Sequence, residues 1–309
     1  MMKLAFKLGI NSFDNADAYG EGLAEKNMGI AVQKGVDEGV WSREDLAIAT
    51  KVGLGTKGFR DASGPNDQGL TRKHIIEATK ASLKRFDLEY VDVIYCIRPD
   101  VCTPMEETVH AKNFVLEQGW AFYWGTSQWS VAQIVEACDV ADRLGLVRPV
   151  VEQCVYNLLD RTKVEFEYAD LYKKYKLGLS TWSPLSGGLL TGKHSQEIVK
   201  GSRMDGPLRT FFAPDFVERQ AKADKLQSVA AELGISLTEL ALAWCISNEN
   251  VSAVMIGAKN LAQLELNLKA LPAFEKTTPE VKAQIDALVP FVPQLPKSDG
   301  LENRRTKFL

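Results

Sequence analysis

A regular alternation of short β-prone runs with longer amphipathic segments constrains the fold of this chain more than any other feature. Seven such runs are visible, at Ile10–Phe13, Leu46–Thr50, Val91–Cys96, Ala121–Gly125, Val150–Cys154, Leu179–Trp182 and Ala253–Ile256. In the segments between them apolar residues recur three and four positions apart, as in Arg72–Phe86 and Ser130–Leu144, which is typical of helices buried on one face. Strict β–α alternation predicts a parallel sheet covered by helices.

The number of strands decides between two α/β architectures. A (β/α)8 TIM barrel has eight strands, and the first helical segment, Met2–Leu8, has no strand before it. An open doubly wound sheet is the alternative, but no Gly-x-Gly-x-x-Gly follows an early strand. We therefore expect a TIM barrel that lacks its first strand. We expect residues 1–309 to form a single domain whose tail, from about 290 to 309, is mobile.

Composition excludes several classes of function. A formal net charge of -3 over 309 residues argues against a nucleic-acid-binding protein, which needs a basic face. Five scattered cysteines form no close pair and lie near no histidine at metal-ligand spacing, so we expect reduced thiols and no metal site. No stretch approaches the roughly 20 apolar residues of a membrane span. We expect a cytoplasmic protein that does not insert into a membrane.

Three residues near the ends of the first two β-prone runs suggest a proton donor. Asp14, Tyr19 and Lys51 lie where a barrel displays its chemistry, just after its strands. The Lys51 ammonium would lower the cost of ionising the Tyr19 phenol, and Asp14 would hold Lys51 charged and in place. Such a group can protonate a carbonyl oxygen while a bound redox cofactor supplies hydride.

Each of these residues also has an ordinary interpretation when it is taken alone. Asp14 could form a turn, Tyr19 could be a surface phenol, and Lys51 could be a solvated strand end. Their joint order along the chain favours function. We expect the neighbouring Asp17 to be exposed to solvent. The three histidines, His74, His110 and His194, fit no metal-ligand or triad pattern.

Ordered segments along nearly the whole chain resemble the aldo-keto reductase superfamily. Within it, the subgroup that contains the β subunits of voltage-gated potassium channels is the most similar. The segments are Phe13–Tyr19, Gly69–Ile76, Glu89–Val93, Arg98–Asp100, Thr103–Thr108, Tyr123–Ser127, Glu152–Gln153, Thr181–Leu185 and Gly257–Asn260. The resemblance implies a barrel that reduces carbonyl compounds with NADP(H).

The resemblance also implies a reactive tetrad of Asp, Tyr, Lys and His, with Asn in place of His in the channel subunits. Asp14, Tyr19 and Lys51 match the first three positions, but Ile97 occupies the fourth. Because isoleucine donates no hydrogen bond, one contact to the substrate carbonyl is missing, and the loss of one such donor typically costs about 10²–10³ in rate. We expect slow reduction.

The cofactor residues that the resemblance implies fall in three groups. Ser127, Gln128 and Gln153 would contact the nicotinamide amide, and Trp182 would stack on its ring. Ser183, Pro184, Leu185, Ser186 and Gly187, with Gly188, would surround the pyrophosphate beside Lys193. Ser202, Arg203, Gly257, Lys259, Gln263 and Asn267 would hold the adenosine end. Arg203 and Lys259 are the cations that a 2′-phosphate prefers, which favours NADPH over NADH.

Two functions remain open at this stage. One is an NADPH-dependent oxidoreductase that acts on a small carbonyl substrate. The other is an NADP(H)-binding regulatory β subunit of a voltage-gated potassium channel with little or no turnover. The resemblance implies a homotetramer and a channel partner by analogy only. A degraded paralogue without activity is a third possibility.

Overall fold

The computed structural model describes residues 1–57, 64–195, 197–202, 204–206, 209, 213 and 215–293. These residues fall into two compact units. Met2–Gln153 and Lys173–Leu177 belong to the first, called here the N-terminal unit, and Cys154–Tyr172 and Gly178–Leu295 belong to the C-terminal unit.

The N-terminal unit contains parallel strands in chain order. They are β1 (Ser12–Asp14), β2 (Ala47–Val52), β3 (Val91–Ile97), β4 (Ala121–Ser127) and the start of β5 (Val151–Val155). Each strand pairs with the next, and the register places Lys51 beside Tyr95 and Ile97 beside Ser127. The ends of β2, β3 and β4 therefore meet at one edge of the sheet.

One helix of this unit precedes its first strand and four connect successive strands. They are α1 (Met2–Lys7), α2 (Leu23–Asp37), α3 (Arg72–Phe86), α4 (Met105–Glu117) and α5 (Val131–Leu144), and single 3₁₀ turns form at Tyr19–Gly22 and Arg43–Asp45. Thr71 begins α3 by accepting the His74 N–H, and a Ser130–Gln133 capping box begins α5. These caps fix the helix starts at the ends of their connecting loops.

Close packing joins α2 to α3. A Cβ added at Gly29 would lie 1.9 Å from the carbonyl oxygen of Phe86, so only glycine permits this approach. Trp124 and Trp129 are buried in the same unit and belong to its core. The Trp129 indole donates to the carbonyl of Cys96 over 3.1 Å.

The C-terminal unit contains the parallel pair β6 (Gly178–Trp182) and β7 (Ala253–Val254), in which Ser180 is beside Ala253. A π-helical turn at Lys163–Glu167 precedes α6 (Ala169–Tyr175), and a 3₁₀ segment, Ser186–Thr191, follows β6. The later helices are α7 (Phe216–Glu232), α8 (Leu237–Ile246), α9 (Leu261–Leu268), α10 (Ala270–Ala273) and α11 (Pro279–Leu288), with a 3₁₀ turn at Phe274–Lys276.

The apolar content of α8 is explained by burial. Eight of its ten residues, Leu237, Thr238 and Leu240–Cys245, are buried. In the described part of the chain, no single helix is long and apolar enough to cross a bilayer. Within the described residues, α7 and α8 taken together are long and apolar enough for a span, but the pair is bent by 91°.

Seven parallel strands alternate with helices within the described residues, as a (β/α) barrel requires. The predicted strand positions are confirmed to within a few residues. The absence of an initial strand and the single-domain organisation stay predictions. Residues 294–309, most of the tail that we expected to be mobile, lie outside the described residues.

Candidate active site

Lys51 and Asp14 form a buried ion pair at the ends of β2 and β1. The Lys51 side chain is 1% exposed and Asp14 is 13% exposed. Lys51 Nζ donates to Asp14 Oδ2 and also to the carbonyl oxygen of Asn15, the latter over 2.8 Å. A buried ammonium needs such partners, because burying an unpaired charge is costly. The predicted role of Asp14 in holding Lys51 matches this geometry.

Tyr19 follows the same strand at the start of the 3₁₀ turn. Beyond β1 the chain stays beside β2, because Asn15 N donates to Ala49 O over 2.9 Å and Asp17 N donates to Lys51 O over 3.0 Å. This path brings the Tyr19 ring to Lys51, whose Nζ lies 5.3 Å from the ring centroid. Tyr19 is 46% exposed. A half-exposed phenol beside a buried cation suits a proton donor that reaches a substrate.

Two contacts of Lys51 were missed at the level of sequence. Its Nζ lies 5.8 Å from the centroid of the buried Tyr95 ring, so the ammonium lies between two phenols. Tyr95 enters through the β2–β3 register, and the missing side chain of Gly125 leaves room for its ring. The second missed contact is the carbonyl oxygen of Asn15, which accepts a hydrogen bond from Lys51 Nζ. A register prediction could have found Tyr95, whereas nothing in the sequence marks a backbone carbonyl.

The expectation that Asp17 is exposed to solvent is wrong. Asp17 is 1% exposed because its side chain points to the Gly53–Gly55 turn, where Oδ2 accepts the Gly55 N–H over 3.2 Å. Its Oδ1 is buried without a hydrogen-bond partner among the described residues. Burial first, and then the negative charge of Glu25, raise the pKa of Asp17 to about 7.

Other buried charges surround Asp17. Glu25 is fully buried, and it accepts hydrogen bonds from Arg85 Nε over 2.6 Å and from Thr50 Oγ1 over 2.5 Å. Lys112 is also fully buried, and burial lowers its pKa. These groups belong to the same unit as the Lys51–Asp14 pair. They define a polar interior that the alternation of apolar residues did not predict.

Ile97 lies at the end of β3, as the resemblance requires of the fourth tetrad position. It pairs with Ser127 on β4, and its Cγ2 would lie 3.4 Å from a Cβ added at Gly53 after β2. The position is therefore at the same edge of the sheet as Lys51. An aliphatic side chain there offers no hydrogen bond to a carbonyl oxygen.

Ser127, Gln128 and Gln153, predicted to contact the nicotinamide amide, form one cluster at the ends of β4 and β5. The Ser127 hydroxyl donates to Gln153 O over 2.9 Å, and Gln128 N donates to the same carbonyl over 3.1 Å. Gln128 N also donates to Glu152 Oε1 over 2.6 Å. Gln153 Nε2 then reaches Asp14 Oδ1 at 3.2 Å. The cluster is thus linked directly to the Lys51–Asp14 pair.

The predicted pyrophosphate loop, residues 183–193, lies in the C-terminal unit directly after Trp182 at the end of β6. Ser183, Ser186, Gly187 and Gly188 all have positive φ, which bends the backbone into a tight loop. Asn157 Nδ2 donates to Ser183 O over 3.0 Å, and Arg219 donates to the Ser186 hydroxyl over 3.4 Å. Pro184 and Leu185 lie within this loop.

A Cβ added at Gly188 would lie 3.0 Å from Lys193 Nζ, so the ammonium lies directly beside the backbone of the loop. Positive φ angles and an adjacent cation are typical of an anion-binding loop. The residues present therefore fit the diphosphate of a dinucleotide.

The residues predicted for the adenosine end are only partly brought together. Four of them form two hydrogen-bonded pairs on α9 and the segment before it. Asn267 Nδ2 donates to Gly257 O over 3.4 Å, and Lys259 N donates to Gln263 Oε1 over 2.7 Å. The Ser202 hydroxyl is buried and has no hydrogen-bond partner among the described residues, so it lacks the partner that a ligand atom would supply. Arg203 lies outside the described residues.

Comparisons with known proteins identify the family of this chain. Residues 1–290 match the profile of the Aldo/keto reductase family. A protein of Arabidopsis thaliana named "Probable voltage-gated potassium channel subunit beta" is 46% identical over 300 residues, which cover 94% of this chain and 86% of the relative. A protein of the same name from Oryza sativa subsp. japonica is 47% identical over 300 residues, with the same two coverages. The chain therefore belongs to the aldo/keto reductase family.

Proposed function

We propose that this chain is an NADPH-dependent oxidoreductase that reduces aldehydes or ketones to alcohols, with Tyr19 as the proton donor. One observation carries the proposal. The buried Lys51, paired with Asp14, holds its ammonium 5.3 Å from the ring of the half-exposed Tyr19. A cation beside a phenol favours the phenolate that remains after proton transfer.

Four residues of the N-terminal unit have a defined part in the proposed reaction: Asp14, Tyr19, Lys51 and Gln153. Tyr19 gives its hydroxyl proton to the carbonyl oxygen of the substrate, and Lys51 stabilises the negative charge left on the phenol. Asp14 holds the Lys51 ammonium in place, while Gln153 orients Asp14 by donating to its second oxygen. NADPH, when bound, supplies the hydride.

The residues that match the family pattern for the cofactor fall in three groups. Ser127, Gln128 and Gln153 would bind the nicotinamide amide and Trp182 would stack on the ring. The loop from Ser183 to Lys193 would bind the diphosphate. Lys259, with Arg203, would favour the 2′-phosphate of NADPH over the hydroxyl of NADH.

The test is Tyr19→Phe, assayed by NADPH oxidation in the presence of 4-nitrobenzaldehyde. We expect turnover to fall by about 10²–10⁴, the usual contribution of a positioned acid. The dissociation constant of NADPH, measured by tryptophan fluorescence, should stay unchanged. Tyr123→Phe is the matched control, because Tyr123 is a 54% exposed tyrosine of the same unit. Full turnover by Tyr19→Phe would show that another group supplies the proton.

A second candidate is a regulatory subunit that binds NADP(H) with little turnover and associates with a voltage-gated potassium channel. Ile97 favours it, because the site lacks one donor to the substrate oxygen, and both relatives described above are named as channel β subunits. Tight NADPH binding without oxidation by any tested aldehyde, together with co-purification with a co-expressed channel, would select this function. Light scattering of the purified chain would test the expected tetramer.

A further inference from the structure

His194 is a buried histidine directly after Lys193 that the pattern of predicted site residues does not include. It is 2% exposed, and its ring packs edge-on against Phe216 with the centroids 6.3 Å apart. Nδ1 accepts the N–H of Val199 over 3.2 Å. Because a neutral imidazole carries one proton, this bond places the proton on Nε2.

That Nε2 group has no hydrogen-bond partner among the described residues, although it is buried. An unsatisfied buried donor is costly, so it marks a place where a partner is expected. Burial, and then the charge of Lys193, lower the pKa of His194, whereas a hydrogen bond with the backbone of Glu197 raises it; the net lowering keeps the ring neutral at neutral pH.

The unpartnered nitrogen lies beside the Gly188 turn. A Cβ added at Gly188 would lie 3.7 Å from His194 Nε2 and 3.0 Å from Lys193 Nζ. Gly188 has a φ of 110°, which side chains rarely tolerate, and the missing side chain lets Lys193 and His194 approach its backbone closely. A buried donor and a cation are thus brought together beside the backbone of one turn in the predicted diphosphate loop.

We propose that His194 is an additional diphosphate-binding residue, which donates from Nε2 to a phosphate oxygen held beside Gly188 and Lys193. The inference rests on the proposed NADP(H) site for the identity of the ligand. It assigns to this chain a neutral donor for the diphosphate that supplements the charge of Lys193.

Two substitutions of His194 separate its two nitrogens. Asparagine can replace Nδ1 but is too short to replace Nε2, whereas glutamine places an amide nitrogen near the position of Nε2. We expect His194→Asn to weaken NADPH binding about tenfold, the effect of one hydrogen bond to a charged group. We expect His194→Gln to bind within about threefold of the parent chain.

Binding is measured by tryptophan fluorescence with NADPH and, separately, by calorimetry with inorganic diphosphate and with 2′-AMP. His194→Asn should lose affinity for diphosphate and keep its affinity for 2′-AMP, which lacks the bridging phosphates. Thermal melting of each variant without ligand reports the purely structural part of the substitution.

The outcomes distinguish this inference from the proposed function. Equal NADPH affinity in the parent and both variants, or equal losses in Asn and Gln, would overturn the role of Nε2. If the parent chain binds diphosphate but not NADPH, the proposed function is wrong, and the diphosphate measurements on the two variants still decide the role of His194.

Discussion

The ammonium of Lys51 lies 5.3 Å from the centre of the Tyr19 ring and forms an ion pair with Asp14. The cation is therefore fixed by a carboxylate and presented to a phenol. This order suits proton donation better than a solvated lysine would, because a desolvated charge acts more strongly on its neighbours.

Replacement of Lys51 by methionine tests that relationship. We expect NADPH oxidation to fall by about 10²–10⁴, because the phenolate of Tyr19 loses its stabilising charge. Lys80→Met is the matched control, since Lys80 also lies over an aromatic ring, 4.9 Å from the centroid of Trp120. Equal activity of the two variants would contradict the mechanism.

Ile97→His restores the missing donor at the end of β3. We expect turnover with 4-nitrobenzaldehyde to rise by about 10²–10³, the usual contribution of one donor to a developing oxyanion. Ile97→Val keeps the position aliphatic and should leave turnover near the level of the parent chain. No gain in the histidine variant would show that the low activity predicted for this chain has another cause.

The raised pKa of Asp17 predicts that the free energy of unfolding depends on pH. Its pKa is about 7 in the folded chain against 3.8 as the ordinary value, so between these values only the folded state keeps the proton. The free energy of unfolding should therefore fall as pH rises from about 4 to about 7, by up to about 4 kcal/mol. Asp17→Asn, which carries no titrating proton, should reduce this slope in urea unfolding measured at each pH.

The exposed Asp37 supplies the control for that series. Its side chain accepts a hydrogen bond from Gln33, and Asp37→Asn should leave the slope unchanged. If Asp17→Asn and the parent chain lose stability in parallel across this range, then a group other than Asp17 controls the slope.

Gly29→Ala should destabilise the contact between α2 and α3. The added methyl would meet the Phe86 carbonyl oxygen at 1.9 Å, so the helices must move apart at a cost of about 1–3 kcal/mol. Urea unfolding measures the loss, with the exposed neighbour Ile30→Ala as control. An unchanged unfolding midpoint for Gly29→Ala would mean that α2 shifts without cost.

The strands and most helices could be predicted because their periodicity is local. The register adds what local patterns lack: β3 runs on to Ile97, one residue beyond the predicted end at Cys96, because Ile97 pairs with Ser127. The order of Asp14, Tyr19 and Lys51 after the strands predicted that they lie near one another, since parallel strands bring their ends together. In the structure Lys51 contacts both Asp14 and the Tyr19 ring.

Burial of polar groups could not be predicted in the same way. Asp17 is buried because the Gly53–Gly55 turn, far along the sequence, supplies an N–H to its carboxylate. Tyr95 contacts Lys51 only through strand pairing, and His194 is buried by its contact with Phe216. Each depends on a tertiary contact, to which hydrophobic periodicity is insensitive.

Asp14 has one oxygen for Lys51 and the other for the amide of Gln153. A ligand that accepts a hydrogen bond from Gln153 Nε2 competes with Asp14 Oδ1 for that nitrogen. Ligand binding at the amide is therefore coupled to the hydrogen bonding of the carboxylate that holds Lys51, and by linkage each influences the other.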